Sequence, residues 1–299
     1  MRKRSGQVHS RESSATLQLT VSLLYRRVPT MLDRKCFIAY NLSLVQYIRT
    51  FQLNGDTPMI DVHCHILPGI DDGSRNTEES KALISEEMNQ GINTIIFTPH
   101  FYAQRDSVGH FLEKRANSFS RLQSAVQFDK IGLKPHLGAE VYYFGGIGKA
   151  EMVPELCVTG TDILLLEMPF GQWTKAVYED VEQLVKKRKL TVILAHVERY
   201  FQFQKDSSVM EQVLALPLIV QLNAGSLLGG VKLTDFAGRK KKKQCLSLLS
   251  EDRDILLGTD AHNMVSRKPN MEAGRAVVRE ALGAERLDRI DALGSRLFG

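Results

Sequence analysis

Cysteine is scarce in this chain: Cys36, Cys64, Cys157 and Cys245 are the only four among 299 residues. No two of them form a C-x-x-C pair, so neither a disulfide framework nor a thiolate zinc site is indicated, and the usage fits a reducing cytoplasm. No cysteine is followed by arginine six positions later, which removes the C-x5-R loop of cysteine-based phosphatases. The nucleotide loop G-x-x-x-x-G-K-[ST] and the nucleophile elbow G-x-S-x-G are also missing. Long apolar runs are absent too: nothing approaches the ~18–20 residues needed to span a bilayer. The basic opening MRKR precedes only a short, polar-interrupted stretch (LQLTVSLLY) with no small-residue cleavage site, so no secretion signal is read.

Excess positive charge is confined to one end. Residues 1–58 hold nine Lys/Arg against three Asp/Glu, whereas residues 59–299 hold 30 against 31. The formal net charge of +5 therefore belongs to a basic leader, and nucleic-acid binding by the main domain is not indicated. The leader has no strand–helix alternation and reads as a disordered extension or a start codon assigned too far upstream.

From Met59 the pattern becomes regular. Apolar runs recur at 59–66, 93–100, 134–143, 162–170, 190–200, 217–226 and 254–262. Stretches of helical period separate most of them, at 77–91, 177–189 and 238–251. The first has Asn76 or Thr77 as N-cap and Gly91 as its stop. Seven strand-like runs alternating with helices predict a parallel sheet with helices outside, near the eight units of a (β/α) barrel; a doubly wound open sheet is the alternative. The run KKKK at 240–243 reads as the solvated face of a helix backed by Cys245, Leu246, Leu248 and Leu249.

Polar residues concentrate where these runs end: His63 and His65, His100, Glu140, Glu167, His196, and Asp260 with His262. Parallel architectures deliver such positions to one rim. Side chains two apart on a strand point the same way. Strict alternation therefore groups Asp61, His63 and His65 on one face of IDVHCH, opposite Ile60, Val62 and Cys64, and groups Asp260 with His262. Imidazoles plus carboxylates without thiolate suit Mn²⁺, Fe or Zn²⁺, and the set exceeds one tetrahedral site, so a multinuclear cluster bridged by a carboxylate such as Glu140 is expected. Asp72, in the turn DDGS, either serves turn chemistry or adds a carboxylate. Arg199 and Arg267 are candidates for phosphate, because guanidinium forks match phosphate oxygens. His110 and His136 fall outside strand ends and read as structural or surface residues.

These motifs resemble a known family. IDVHCHILPGIDDGS, TPH, GAEVYY, LLLEMPF, AHVERY, QLNAGS and GTDAHN, in this order, are similar to the polymerase and histidinol phosphatase (PHP) superfamily. Within it they most resemble the manganese-dependent protein-tyrosine phosphatases of capsule and exopolysaccharide operons, the CpsB/YwqE/CapC group. The resemblance runs from Met59 to about Arg279. It implies a distorted (β/α)7 barrel over 59–299 and two or three ions, Mn²⁺ first, held by His63, His65, Asp72, His100, Glu140, Glu167, His196, Asp260 and His262. It also implies that Arg199 and Arg267 bind phosphate, and that the substrate is a phosphotyrosine protein, the tail of a tyrosine autokinase. Family members begin at the equivalent of Met59, so residues 1–58 have no counterpart. A histidinol-phosphate phosphatase and a non-catalytic metal-binding regulatory module are the rival readings. Homo-oligomer formation is left open.

Overall fold

The structure is a computed structural model that describes residues 58–230 and 234–299. The expectation of a disordered or mis-assigned leader over 1–58 thus falls, apart from Pro58, outside the described residues.

The described strands are β1 Met59–Cys64, β2 Ile92–Phe97, β3 His100–Phe101, β4 Lys134–Leu137, β5 Glu140–Tyr142, β6 Ile163–Glu167, β7 Thr191–Leu194, β8 Ile219–Asn223 and β9 Ile255–Gly258. All of their pairings are parallel, in the orders β1-β2-β4 and β3-β5-β6-β7-β8-β9. Two of the expected runs are each broken into two strands. Pro99, which has no N–H, separates β2 from β3, and Gly138–Ala139 separates β4 from β5. Backbone bonds bridge the breaks: Gly138 N–H donates to Phe97 O at 2.8 Å and Glu140 N–H to Pro99 O at 3.0 Å. The end of β1 meets the end of β9, with His65 N–H donating to Ala261 O at 2.9 Å and Asp260 N–H to His63 O at 2.7 Å.

The helices are α1 Thr77–Asn89, α2 Val108–Val126, α3 Phe128–Ile131, α4 Lys175–Glu182, α5 Ser208–Leu214, α6 Phe236–Ser250, α7 Met271–Leu282 and α8 Ala284–Phe298. α1 begins where its sequence says it should. The Asn76 side chain accepts the Glu79 N–H, Glu78 and Glu79 face the positive helix end, and Gly91 takes φ 90°. α6 buries Cys245, Leu248 and Leu249, as the KKKK reading expects. α2, α7 and α8 were not among the helices read from the sequence.

Apolar side chains form two layers, which explains why the strands are apolar nearly throughout. Leu164, Leu166, Val192, Leu194, Val220 and Leu222 belong to the larger cluster, which also takes in Leu83 of α1, Leu122 of α2 and Leu249 of α6. On the opposite face Ile163, Leu165, Ile193, Ile219 and Leu256 form a smaller cluster with Leu293 and Phe298 of α8. The C-terminal helix thus closes the inner layer.

One expectation is corrected here. Asp61 does not share a face with His63 and His65. Its carboxylate accepts the Thr259 hydroxyl at 2.6 Å and the Thr259 N–H at 2.9 Å, and that hydroxyl also lies 2.9 Å from Glu87 of α1. Ile60 and Val62 sit in the inner cluster, while Cys64 packs in the outer one. The cause is a bulge: Asp61 to Cys64 on β1 opposes Ile95 to Phe97 on β2, one residue more on β1. A bulge resets the alternation and re-aims the side chains that follow. One hydroxyl proton cannot serve both carboxyls, and burial pushes both of them up, Glu87 well above the ordinary carboxylate range.

Candidate metal centre

The strand ends deliver their polar residues to one place. β1 ends in His63 and His65, β3 opens with His100, β5 opens with Glu140 and β6 closes with Glu167. His196 follows β7, and Asp260 and His262 follow β9. Two of these residues sit in the left-handed backbone region without being glycine, His196 at φ 32° and Asp260 at φ 52°. Such strain persists only where surrounding bonds hold it. Here the His196 N–H is tied to Gln221 Oε1 at 2.7 Å and the Asp260 N–H to the His63 carbonyl. The DDGS turn folds back onto β1 so closely that a Cβ on Gly73 would stand 2.1 Å from the His65 carbonyl oxygen, so only glycine fits.

Glu140 lies at the centre. Its Oε2 is 2.9 Å from His100 Nδ1, 3.1 Å from His65 Nε2 and 3.3 Å from His63 Nε2, and its Oε1 is 2.8 Å from His196 Nε2. Glu167 Oε1 approaches His196 Nε2 at 3.4 Å. Asp260 Oδ1 stands 3.6 Å from His63 Nε2 and 3.5 Å from His65 Nε2. Asp72 Oδ1 reaches His100 Nε2 at 3.4 Å and His262 Nε2 at 3.5 Å. All nine residues singled out as ligands in the sequence are therefore brought together. Arg199 and Arg267 are there too: their guanidiniums approach Asp260 at 3.6 Å and 2.7 Å, and both line the cavity above the cluster. His110 pairs with Asp106 on the surface and His136 lies beside Phe298, away from the centre.

The electrostatics are those of a cluster holding protons. Burial alone would lower the His65 pKa, but the Asp71 carboxylate at 2.7 Å and Glu140 raise it well above the ordinary imidazole value. Burial likewise opposes the charge on His196, yet its contacts with Glu140 and Glu167 push it up to about 9. The Glu140 carboxylate moves the other way. Burial would raise Glu140, and the imidazoles of His63, His100 and His196 hold it well below the usual range.

Four atoms of the cluster, Glu140 Oε2, His100 Nδ1, His196 Nδ1 and His262 Nε2, are buried without a hydrogen-bond partner. Glu140 Oε2 and His100 Nδ1 lie close but are not aligned as donor and acceptor, and the Nε2 atoms of His63 and His65 face each other at 3.2 Å. Lone pairs aimed past one another at a shared point are the arrangement of donors around an ion. Three sets of ligand atoms lie within 4.8 Å of one another: His65/Asp72/His100/His262, His63/His65/Asp260 and His100/Glu140/Glu167. The donor set fits several cations.

Three residues around this centre were given no role from sequence. Asp71 receives His65 Nδ1 and the His100 N–H at 3.0 Å. The Gln221 carboxamide oxygen receives His63 Nδ1 at 3.0 Å. Gln221 Nε2 donates to Asn223 Oδ1 at 2.9 Å, and Asn223 Nδ2 donates to Asp260 Oδ2 at 2.7 Å. These contacts fix which imidazole nitrogen is left for an ion. Gln221 and Asn223 had a signal in position: they alternate at the end of β8, a strand with no His, Asp or Glu at its tip.

Fold and site together define a parallel α/β protein with a clustered imidazole–carboxylate centre at the strand ends. The chain belongs to the CpsB/CapC family of capsular polysaccharide synthesis, whose model matches residues 59–294. The tyrosine-protein phosphatase CpsB of Streptococcus pneumoniae is 26% identical over 232 residues, 76% of this chain and 93% of that protein. The tyrosine-protein phosphatase YwqE of Bacillus subtilis is 27% identical over 231 residues, 76% of this chain and 86% of that one. A solved structure from work on YwqE and CpsB of these two organisms, described as unique metal-dependent tyrosine phosphatases, matches with a TM-score of 0.66 at 24% identity. It covers 80% of this chain and 94% of its own, and the likeness supports the fold.

Proposed function

We propose that this chain is a metal-dependent protein-tyrosine phosphatase acting in the cytoplasm on a phosphotyrosine-bearing segment of a partner, the tail of a tyrosine autokinase that regulates capsule or exopolysaccharide synthesis. The observation that carries this reading is the convergence of nine imidazole and carboxylate side chains under a cavity that Arg199 and Arg267 also line. The family assignment and the relatives' activities favour phosphotyrosine as substrate. The unpaired, buried Cys64, Cys157 and Cys245 favour a reducing compartment.

In this reading residues 59–299 are one catalytic domain, a distorted (β/α)7 barrel. The bonds between the ends of β1 and β9, and the pairing of β2/β3 and β4/β5 as two interrupted strands, support it. His63, His65, Asp72, His100, Glu140, Glu167, His196, Asp260 and His262 hold two or three ions, Mn²⁺ first, with Fe or Zn²⁺ as alternatives. Such ions, when bound, supply Lewis-acid activation of water and of the phosphoryl group. Arg199 and Arg267 grip the phosphoryl oxygens, and their charge offsets the negative charge that builds there. Phe170, whose ring lies 4.9 Å from the Arg199 guanidinium, keeps that side chain over the cavity. A phenolate leaving group, with an ordinary pKa of ~10, needs less protonation than an alkoxide. No cysteine takes part.

The test is steady-state turnover of the Mn²⁺-supplemented full chain on a phosphotyrosine peptide and on histidinol phosphate, with a chelator control and His196→Ala. The proposal requires preference for the peptide, loss with chelator and a drop of at least 100-fold in the variant. Preference for histidinol phosphate, or no turnover of either by metal-loaded protein, contradicts it.

A further inference from the structure

The cavity over the centre measures about 560 Å³, within the ~300–1,000 Å³ that encloses a small organic ligand rather than a bare oxyanion. Its lining includes three aromatic rings and three arginines. In the order β3-β5-β6-β7-β8-β9, the first three strand ends supply Tyr102, Tyr142 and Phe170, and the β7 and β9 ends supply Arg199 and Arg267. Phe170 is already engaged, with the Arg199 guanidinium over its ring and His196 stacked at 6.0 Å.

Tyr102 and Tyr142 are different. Their rings lie 5.5 Å apart, tilted by 44°, and both are half-buried at the cavity wall. Among the described residues neither hydroxyl has a hydrogen-bond partner. Neighbouring tyrosines show what a structural role looks like here: Tyr143 donates to Asp180 at 2.8 Å, and the Tyr200 oxygen accepts the Met168 N–H at 2.9 Å. The Arg105 guanidinium, 4.6 Å from the Tyr102 ring centre, holds that ring in place from the same cavity.

We propose that Tyr102 and Tyr142 form an aryl subsite: the ring of a phenolic phosphate monoester lies against them while Arg199 and Arg267 hold its phosphoryl end, so the centre selects aryl over alkyl phosphate esters. This rests on the phosphatase reading above. Offset or edge contacts between rings favour an aryl group and give nothing comparable to an alkyl chain.

The test compares phenyl phosphate with propyl phosphate as substrates, and phenylphosphonate with inorganic phosphate as ligands by calorimetry. It uses the Mn²⁺-loaded full chain and its Tyr102→Ala, Tyr142→Ala and Tyr102→Phe variants, with metal content checked by elemental analysis. The aryl-over-alkyl ratio in kcat/KM falls about tenfold in either alanine variant, and phenylphosphonate affinity falls relative to phosphate; Tyr102→Phe keeps the preference. If Tyr102→Ala loses metal, Tyr142→Ala decides. Equal losses for both esters, or an unchanged ratio, overturn the subsite while leaving the phosphatase reading standing. A metal-loaded parent that turns over neither ester overturns both.

Discussion

The carboxamide oxygen of Gln221 receives the Nδ1 of His63 at 3.0 Å. The same oxygen takes the His196 N–H, and the amide nitrogen passes the contact on through Asn223 to Asp260. One buried, uncharged side chain thus sets the orientation of three of the proposed ligands. Gln221→Leu roughly keeps the volume and removes the three bonds that Gln221 itself makes, to His63, His196 and Asn223. Loss of such outer contacts typically costs 10–100-fold in metal affinity. Mn²⁺ titration of Gln221→Leu will show a drop of that size with the far-ultraviolet circular dichroism unchanged. An affinity equal to the parent's would remove the relay from the account.

Room for that relay comes from Gly258. A Cβ there would stand 2.7 Å from His63 Cβ and 2.8 Å from Gln221 Nε2. Overpacking a tight core costs about 1–3 kcal/mol. Gly258→Ala is expected to lower the unfolding free energy of the metal-free protein, read from urea titration, by that amount and to weaken Mn²⁺ binding. Gly109→Ala, in α2 with no neighbouring atom within 4 Å, does not lower stability and leaves Mn²⁺ affinity untouched. Full retention of stability and affinity in Gly258→Ala would contradict the packing described.

Much of this centre is legible in the amino-acid sequence. Strand ends carrying His63, His65, His100, Glu140, Glu167, His196, Asp260 and His262 needed only the rule that parallel strands share one rim. What could not be read was local and cooperative. The bulge after Asp61, which parts it from the face of His63 and His65, depends on β2, which alternation along β1 alone does not see. Asp71 was hidden by its neighbour Asp72, since DDGS does not say which carboxylate reaches His100 and His262 and which supports His65. Gln221 carries no charge and no metal-ligand signature. α8 was missed although its Leu293 and Phe298 complete the inner core, because that role depends on where the strands leave an open end.

The charge state of His196 gives a pH dependence. With its pKa raised from 6.5 to about 9, the imidazole is protonated at neutral pH in the metal-free protein. The stability this adds is fully present below about 6.5 and is lost as pH rises through about 9. Binding a cation requires the neutral ring, so loading at pH 7 releases protons and apparent affinity grows with pH up to about 9. Calorimetric Mn²⁺ titrations in buffers of different ionisation enthalpy will give a net proton release. A heat independent of buffer contradicts this assignment.

Thiol chemistry offers a separate check. Cys64, Cys157 and Cys245 are buried, and burial pushes each thiol upward, to about 11 for Cys157. Thiols of that kind react slowly. Brief iodoacetamide treatment of the native, metal-loaded protein will leave phosphatase activity within twofold of untreated. Rapid inactivation without unfolding would point to a cysteine nucleophile.

The central claim is that distant side chains meet to hold several cations, and elemental analysis of the full chain after Mn²⁺ loading and gel filtration tests it most directly. The account predicts two or three ions per chain, and fewer in His65→Ala, whose ring faces two of the three ligand groups. Less than one ion per folded chain, or a content unchanged in the variant, contradicts it.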